Sequence, residues 1–260
     1  MADVRTIKAL NFSGHTLNVA ERALLKPALL KKRAEENLAE TLFWGKIFGQ
    51  EANYLICVGI VQKFSGVPSK KFYYLVSGGE NPSSELAEIE HKFADAAAKD
   101  AGKPFTGAPD TVITEAEEEG EESYTEAHRL AHAVAAIDHA TSIVPRGAYV
   151  VTPAHKVIRN KTFEGLNAST ASSLVNFFHF REPTELQRLG ALEKKGLVAS
   201  TDFLDPISGD IPKGSWALKF DGPRETVTLS SLKYPGYHFA HRLGSSEFAG
   251  AYFGNGAINK

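Results

Sequence analysis

Apolar positions near the start of the chain recur at helical spacing: Leu17, Leu24, Leu25, Ala28 and Leu29 form one stripe that runs toward Leu38. Asn18 followed by Glu21 has the spacing of a capping box, so the pattern predicts a helix that begins there. Pro27 lies inside it, lacks an amide hydrogen, and predicts a kink or a split. Three runs of apolar, β-branched and aromatic residues follow: TLFWGKIFG (41–49), NYLICVGIV (53–61) and KFYYLVS (71–77). The link around Gly49 and Gln50 is too short for a helical crossover, which makes the first two runs an antiparallel hairpin. The third run continues it as a meander.

Residues 78–122 break this pattern. SGGENPSS is turn chemistry, a short helix is predicted over 84–98, and GKPFTGAPD punctuates the chain before an acidic run from Glu115 to Glu122. The glutamates of that run repel one another and read as a solvated, mobile loop. The clearest helix follows, with Ser123 and Glu126 at capping-box spacing, a stripe of Ala127, Leu130, Val134, Ile137 and Thr141, and Pro145 as its stop. GAYVVTP and HKVIRN read as strands, NASTASSLVNFF as a short helix, and PTELQRLGALEKK as another, with Pro183 in its first turn and Gly196 beyond its end. SWALKF, ETVTLSSL, YHFAHRL and EFAGAYFG read as C-terminal strands joined by turns such as DGPR and GSSE. Consecutive strands rather than βαβ units give an α+β class: mainly antiparallel sheet with flanking helices, an N-terminal helix and a strand-rich C-terminal part. One domain over 1–260 is expected, with a variable, partly mobile acidic loop around 78–122.

Composition narrows the function more than the fold. With 43% hydrophobic and 23% charged residues and a formal net charge of -2, the chain has no field that would gather nucleic acid or acidic lipid. The basic cluster Lys31-Lys32-Arg33 sits in a helical pattern with Glu35 and Glu36 behind it and reads as a solvated helix face. No segment approaches the apolar length of a membrane span, and the N-terminus lacks the apolar region and cleavage site of a secretion signal. Cys57, the single cysteine, fits a reducing compartment, so the sequons at Asn11, Asn160 and Asn167 read as chance matches in a cytoplasmic protein.

Candidate chemistry is sparse. Gly209 to Ser215 fails as a phosphate loop because its lysine precedes the second glycine and a strand follows; GNGAIN at 254–259 lacks the third glycine of a dinucleotide fingerprint. Neither G-x-S-x-G nor H-E-x-x-H occurs. His128 and His132 share a helix face, with His139 further along, but no further ligands can be named, so a solvated polar face is expected and no metal or cofactor. Asp205 and Asp210 can be imagined as an acid–base pair, yet they sit in a turn-rich loop without an apolar pocket to raise either pKa. FFHFREP (177–183) sets His179, Arg181 and Glu182 beside three phenylalanines, which leaves a hydrolase-like site near His179 as the rival to packing and punctuation.

LFWGKIFGQEANYLI (42–56), VPRGAYVVTP (144–153), NKTFEGL (160–166), FFHFREP (177–183), DIPKGSW (210–216) and SLKYPG (231–236) together closely resemble the radial spoke head family of motile cilia. The match runs in family order over most of the chain; 78–125 matches nothing firmly, and Tyr234 stands where tryptophan is expected. The resemblance implies a non-enzymatic subunit of the axonemal spoke head, the complex through which the central pair regulates dynein arms. It implies partners among the larger head proteins of the 4 and 6 type, which share the F-W-G-K-I and W-P-G stretches, and further spoke subunits. Self-association through like surfaces is a further expectation, and no catalytic residues come with the family.

For a scaffold, surface matters more than pKa tuning. Tyr234, Tyr237, His238 and Phe239 follow a strand in a turn-rich aromatic region, where an exposed interface and the core of the C-terminal sheet are both open readings. In FFHFREP, spacings of three and four put Leu174, Phe177 and Phe178 on the buried stripe of a short helix, with Pro183 forcing a turn. His179 is then expected at the exposed edge, as a bystander or, with Arg181, an interface residue.

Overall fold

The structure, a computed structural model, describes residues 10, 12–78, 93–115, 123–185, 188, 190 and 201–259, and the backbone of 87–88. The acidic run beyond Glu115 and most of the helix expected after Pro183 lie outside these residues.

Helix α1 (Val19–Glu35) starts at the capping box read from the sequence: the Glu21 amide donates to Asn18 Oδ1 at 2.7 Å and the Asn18 amide to Glu21 Oε2 at 2.9 Å. It is not split at Pro27. Burial of Leu25, Ala28 and Leu29 beneath the helix offsets the missing backbone bond. Lys31 and Lys32 pair along the surface with Glu35 and Glu36, as a solvated face should.

Strands β1 (Glu40–Ile47), β2 (Asn53–Val61) and β3 (Ser69–Ser77) form the expected antiparallel meander, and the two-residue β4 (Ala87–Glu88) adds to its edge. Helix α2 (Ala94–Lys99) is shorter than the predicted helix and starts later. Strand β5 (Val112–Thr114) pairs with β6 (Tyr124–Thr125), which leads into α3 (Glu126–Thr141). Strand β7 (Ile143–Pro145) comes next, then the ribbon β8 (Tyr149–Val151) and β9 (Val157–Arg159). Helix α4 (Ala168–Ala171) and a 3-10 turn (Leu174–Asn176) precede β10 (Phe177–His179). The C-terminal strands are β11 (Trp216–Asp221), β12 (Thr226–Ser231), β13 (Tyr237–Arg242) and β14 (Phe248–Gly254).

The main sheet has the order β11-β12-β13-β14-β1-β2-β3-β4, antiparallel except where β14 meets β1 in parallel. That pairing fuses the two meanders and was not predicted. It also explains Gly45, because a Cβ there would stand 2.4 Å from the Tyr252 carbonyl oxygen of β14.

Alternation along β2 assigns the layers. Leu55 and Cys57 face a core with Leu25, Leu29, Phe43 and Phe253 on the α1 side. Tyr54, Ile56, Val58 and Ile60 face the larger core with Leu130, Val134 and Ile137 of α3. The FWGKI stretch of β1 stitches both layers together. Trp44 Nε1 donates to Asp138 of α3 at 3.0 Å, and Lys46 reaches Glu21 of α1 at 2.6 Å. The helix α3 is capped differently from the expected Ser123–Glu126 box: its N-cap is Thr125, whose amide donates to His128 Nδ1 at 3.1 Å. Glu126 is drawn inward instead, accepting Tyr54 Oη at 2.7 Å and the amides of Thr106 and Gly107 at 2.9 Å each.

Candidate functional site

The FFHFREP segment is a strand where a helical stripe was expected. Phe177, Phe178 and His179 pair with Pro145, Val144 and Ile143 of β7. A strand wins because both of its faces are covered. Phe177 enters the α3-side core, edge-on to Phe239 at 5.9 Å, while Phe178 and Phe180 join a smaller cluster with Val144, Val157 and Phe203. Leu174 is only half-buried in the turn before it.

His179 is 2% exposed, so its placement at an exposed edge is corrected. Its Nε2 lies 2.8 Å from Asp210 Oδ1, and Trp216 Nε1 donates to Asp210 Oδ2 at 2.7 Å. Burial alone would push the Asp210 carboxyl up, but the bonds from His179 and Trp216 outweigh it and hold the group below its ordinary pKa. An ionised Asp210 fixes the hydrogen of His179 on Nε2, and Nδ1 is left buried without a partner. FFHFREP and DIPKGSW, two of the motifs that carry the resemblance, are thus joined by one carboxylate.

Arg181 Nη1 donates to Asp205 Oδ2 at 2.8 Å and its Nε to the His139 carbonyl at 3.1 Å. Asp205 also accepts the Thr184 amide at 2.7 Å and the Thr184 hydroxyl at 2.8 Å. Burial raises the Asp205 pKa, the Thr184 bonds and the Glu185 amide lower it further than that, and Arg181 adds to them, so the net shift is down. Both carboxylates are therefore held as anions, the opposite of what a general acid requires near neutral pH. Together, His139, His179, Arg181, Ser215, Trp216 and Lys233 line a hollow of about 140 Å³, below the size of ordinary small-molecule clefts.

The remaining interface candidates do not share one surface. Tyr237 is buried beneath Trp216, ring centroids 6.0 Å apart, and its hydroxyl accepts the Ile143 amide at 3.4 Å. Phe239 is in the core. Tyr234 is buried too, in the wall of a second hollow of about 220 Å³ shared with Phe105, Arg129, Ala133 and Ile258. Of the two readings that the sequence leaves open, these three residues take the buried one: Tyr237 and Phe239 lie on the α3-covered side of β13, and Tyr234 lies in the loop before it. His238 projects to the other face of the sheet, half-buried near Phe12 at 5.8 Å and bonded to Ser230 at 3.0 Å.

His128, expected on a solvated face, is buried against Phe93 at 4.8 Å. No cluster of three metal-ligating side chains occurs among the described residues. Among them, too, no helix is long and apolar enough to cross a membrane. The pairs Trp44–Asp138 and Trp216–Asp210 are not anticipated by the sequence reading; the signal that could have found them is the need of a buried tryptophan for an acceptor for its N–H.

No family model matches the chain. Relatives named radial spoke head protein 9 homolog do: that of Danio rerio is 36% identical over 259 residues, covering 95% of this chain and 92% of the relative. Those of Bos taurus and Homo sapiens are 34% and 33% identical over the same shares. The chain belongs to the radial spoke head protein 9 family. In this radial spoke head protein the motifs FWGKI, FFHFREP and DIPKGSW are places where layers are fastened together: Trp44 to α3, Lys46 to α1, and His179 and Trp216 to a shared aspartate. Most of the polar side chains that these motifs bury are engaged in internal bonds.

Proposed function

We propose that the chain is a non-enzymatic structural subunit of the axonemal radial spoke head, folding as one domain over 1–260. It assembles with the 4 and 6-type head proteins and relays central-pair signals to the dynein arms. The observation that carries this reading is the match over 95% of the chain to relatives bearing the radial spoke head protein 9 name. The side chains that a hydrolase would need support it further: Asp205 and Asp210 are held as anions by fixed donors, and His179 is committed to Asp210. The test is retention. The protein should remain in axonemes after membranes are stripped and should co-sediment with other spoke components. Recovery only as a free monomer would refute the assignment.

A further inference from the structure

Among the described residues, strand β11 ends the main sheet, and its outer side has no partner strand. Its hydrogen-bond phase follows from two bonds. The Leu232 amide donates to the Ser215 carbonyl, and across β12 the Leu243 amide donates to the Glu225 carbonyl. With the register Trp216↔Ser231, the first makes Ala217, Lys219 and Asp221 the residues that exchange bonds with β12. The second, with the register Thr226↔Arg242, turns Val227 and Leu229 toward β13 and leaves Thr226, Thr228 and Ser230 for β11, in agreement. The N–H and C=O groups of Trp216, Leu218 and Phe220 therefore point away from the sheet.

The side chains of this edge alternate as well. Trp216 and Leu218 face the α3-side core, and Phe220 follows on the same face, 49% exposed. Ala217 and Lys219 lie exposed on the other face. The usual guards of a free edge are thin here: no proline lies within the strand, and Lys219 is its one cation. At the Trp216 end, Ile211 is 83% and Leu232 48% exposed. Among the described residues, Lys213 bonds only the Ser208 carbonyl, and neither Lys219 nor Lys233 has a carboxylate partner. The nearby acids are committed, Asp210 to His179 and Trp216, and Asp221 to Arg224 at 3.6 Å.

We infer that β11 is a docking edge, to which an extended segment of a partner adds as a further strand, with acidic side chains opposite Lys219 and apolar ones continuing the Leu218–Phe220 face. Main-chain bonds to Trp216, Leu218 and Phe220 supply the ladder, and the lysines that have no carboxylate partner among the described residues select the acidic register. This rests on the spoke head reading and adds the chemistry of the partner segment.

Proline is tolerated at an edge position whose N–H faces outward, so Phe220→Pro removes one ladder donor while leaving the bonds to β12. Phe220→Ala removes the ring and keeps the donor. In cells whose only copy is the full-length variant, Phe220→Pro and Lys219→Glu should each lower recovery in membrane-stripped axonemes by about tenfold, whereas Phe220→Ala, which loses the apolar contact and keeps the ladder donor, should lower it by only about threefold. Hydrogen exchange on the wild-type chain is independent of any variant's folding: the amides of Leu218 and Phe220 should exchange rapidly in the purified protein and slowly in isolated spoke heads. Equal exchange in both states, full recovery of Phe220→Pro, or equal loss of Phe220→Pro and Phe220→Ala would overturn the edge-docking inference. Full recovery of Lys219→Glu would overturn the acidic partner. A concentration-dependent dimer of the purified chain that protects Leu218 would give the edge to a second copy instead. Absence of the wild-type chain from stripped axonemes would refute the spoke head reading itself, a result distinct from all of these.

Discussion

Replacing His179 by alanine tests whether FFHFREP is packing or surface. The imidazole is 2% exposed and its Nε2–H meets an ionised carboxylate at 2.8 Å. A hydrogen bond to a charged group contributes about 1.5–3 kcal/mol, and deleting a buried ring leaves a cavity whose cost is on the order of 1 kcal/mol after partial collapse. Asp210 keeps its bond from Trp216 and part of its contact with water, so the full penalty of an orphaned anion is not incurred. His179→Ala should therefore destabilise the full chain by about 2–4 kcal/mol, and Phe178→Ala, a larger core deletion, by about 3–5 kcal/mol. Urea unfolding followed by fluorescence measures both, with unchanged slopes confirming comparable transitions. The decisive measurement is the double-mutant cycle of His179→Ala with Asp210→Ala, in which a coupling of about 1–3 kcal/mol is expected. Additive effects would show that the two side chains do not interact in solution. A loss below about 0.5 kcal/mol for His179→Ala is the behaviour of an exposed site, and would return the residue to the surface.

Other consequences are more local. Gly45→Ala places a Cβ 2.4 Å from the Tyr252 carbonyl oxygen, so it should break the parallel β1–β14 junction and cost more than about 3 kcal/mol in the same unfolding assay. Tyr234→Trp should change stability by less than about 1.5 kcal/mol, because the larger ring can enter the adjoining hollow, while Tyr234→Ala should cost about 3–5 kcal/mol; a large loss for tryptophan would mean that the hollow cannot accept it. Acid should destabilise in two stages. Burial lowers the His241 pKa, only partly countered by its bond to the Glu247 carbonyl, and burial lowers that of His238. Both therefore take up protons more readily when unfolded, and the urea midpoint should fall as pH drops below about 6.5. Glu126, Asp205 and Asp210 have lowered folded pKa values, so their contribution is full above about pH 4 and is lost as pH falls further. A midpoint that rises between pH 7 and 5.5 would contradict the neutral state of His241, whose Nε2 accepts the Leu166 amide.

What was legible in the sequence was local. The capping box of α1 joins residues three apart, and the hairpins β1–β2, β11–β12 and β13–β14 join runs separated by short turns. Period and turn chemistry suffice for these. The parallel pairing of Gly45 with Tyr252 has no local signal, since it depends on two completed meanders meeting along one edge. FFHF defeated the period argument for a different reason. Four successive buried residues fit neither a one-sided strand nor a one-sided helix, and only the packing of β7, the α3-side core and the small cluster around Phe203 reveals a strand covered on both faces.

The polar groups were misread by the same logic. Ser123 and Glu126 have capping-box spacing, but Glu126 finds stronger donors in the Thr106 and Gly107 amides and the Tyr54 hydroxyl, so the cap passes to Thr125 and His128. A buried carboxylate must collect several donors to remain charged, and those donors come from wherever the fold brings them. Spacing along the chain can therefore propose a cap but cannot exclude a distant competitor. The same reasoning separates the two kinds of aromatic in this protein. Trp44 and Trp216 each carry an N–H that must be satisfied when buried: Trp44 is fixed by Asp138 of α3, which joins two layers, and Trp216 by Asp210 in the loop before its own strand, a carboxylate that also holds His179 of β10. Phe220 carries no such demand and stays half in solvent near the end of a strand at the edge of the main sheet. Among the described residues, the outward backbone donors of β11, beside the exposed Phe220 ring, are the groups that the proposed partner strand would use.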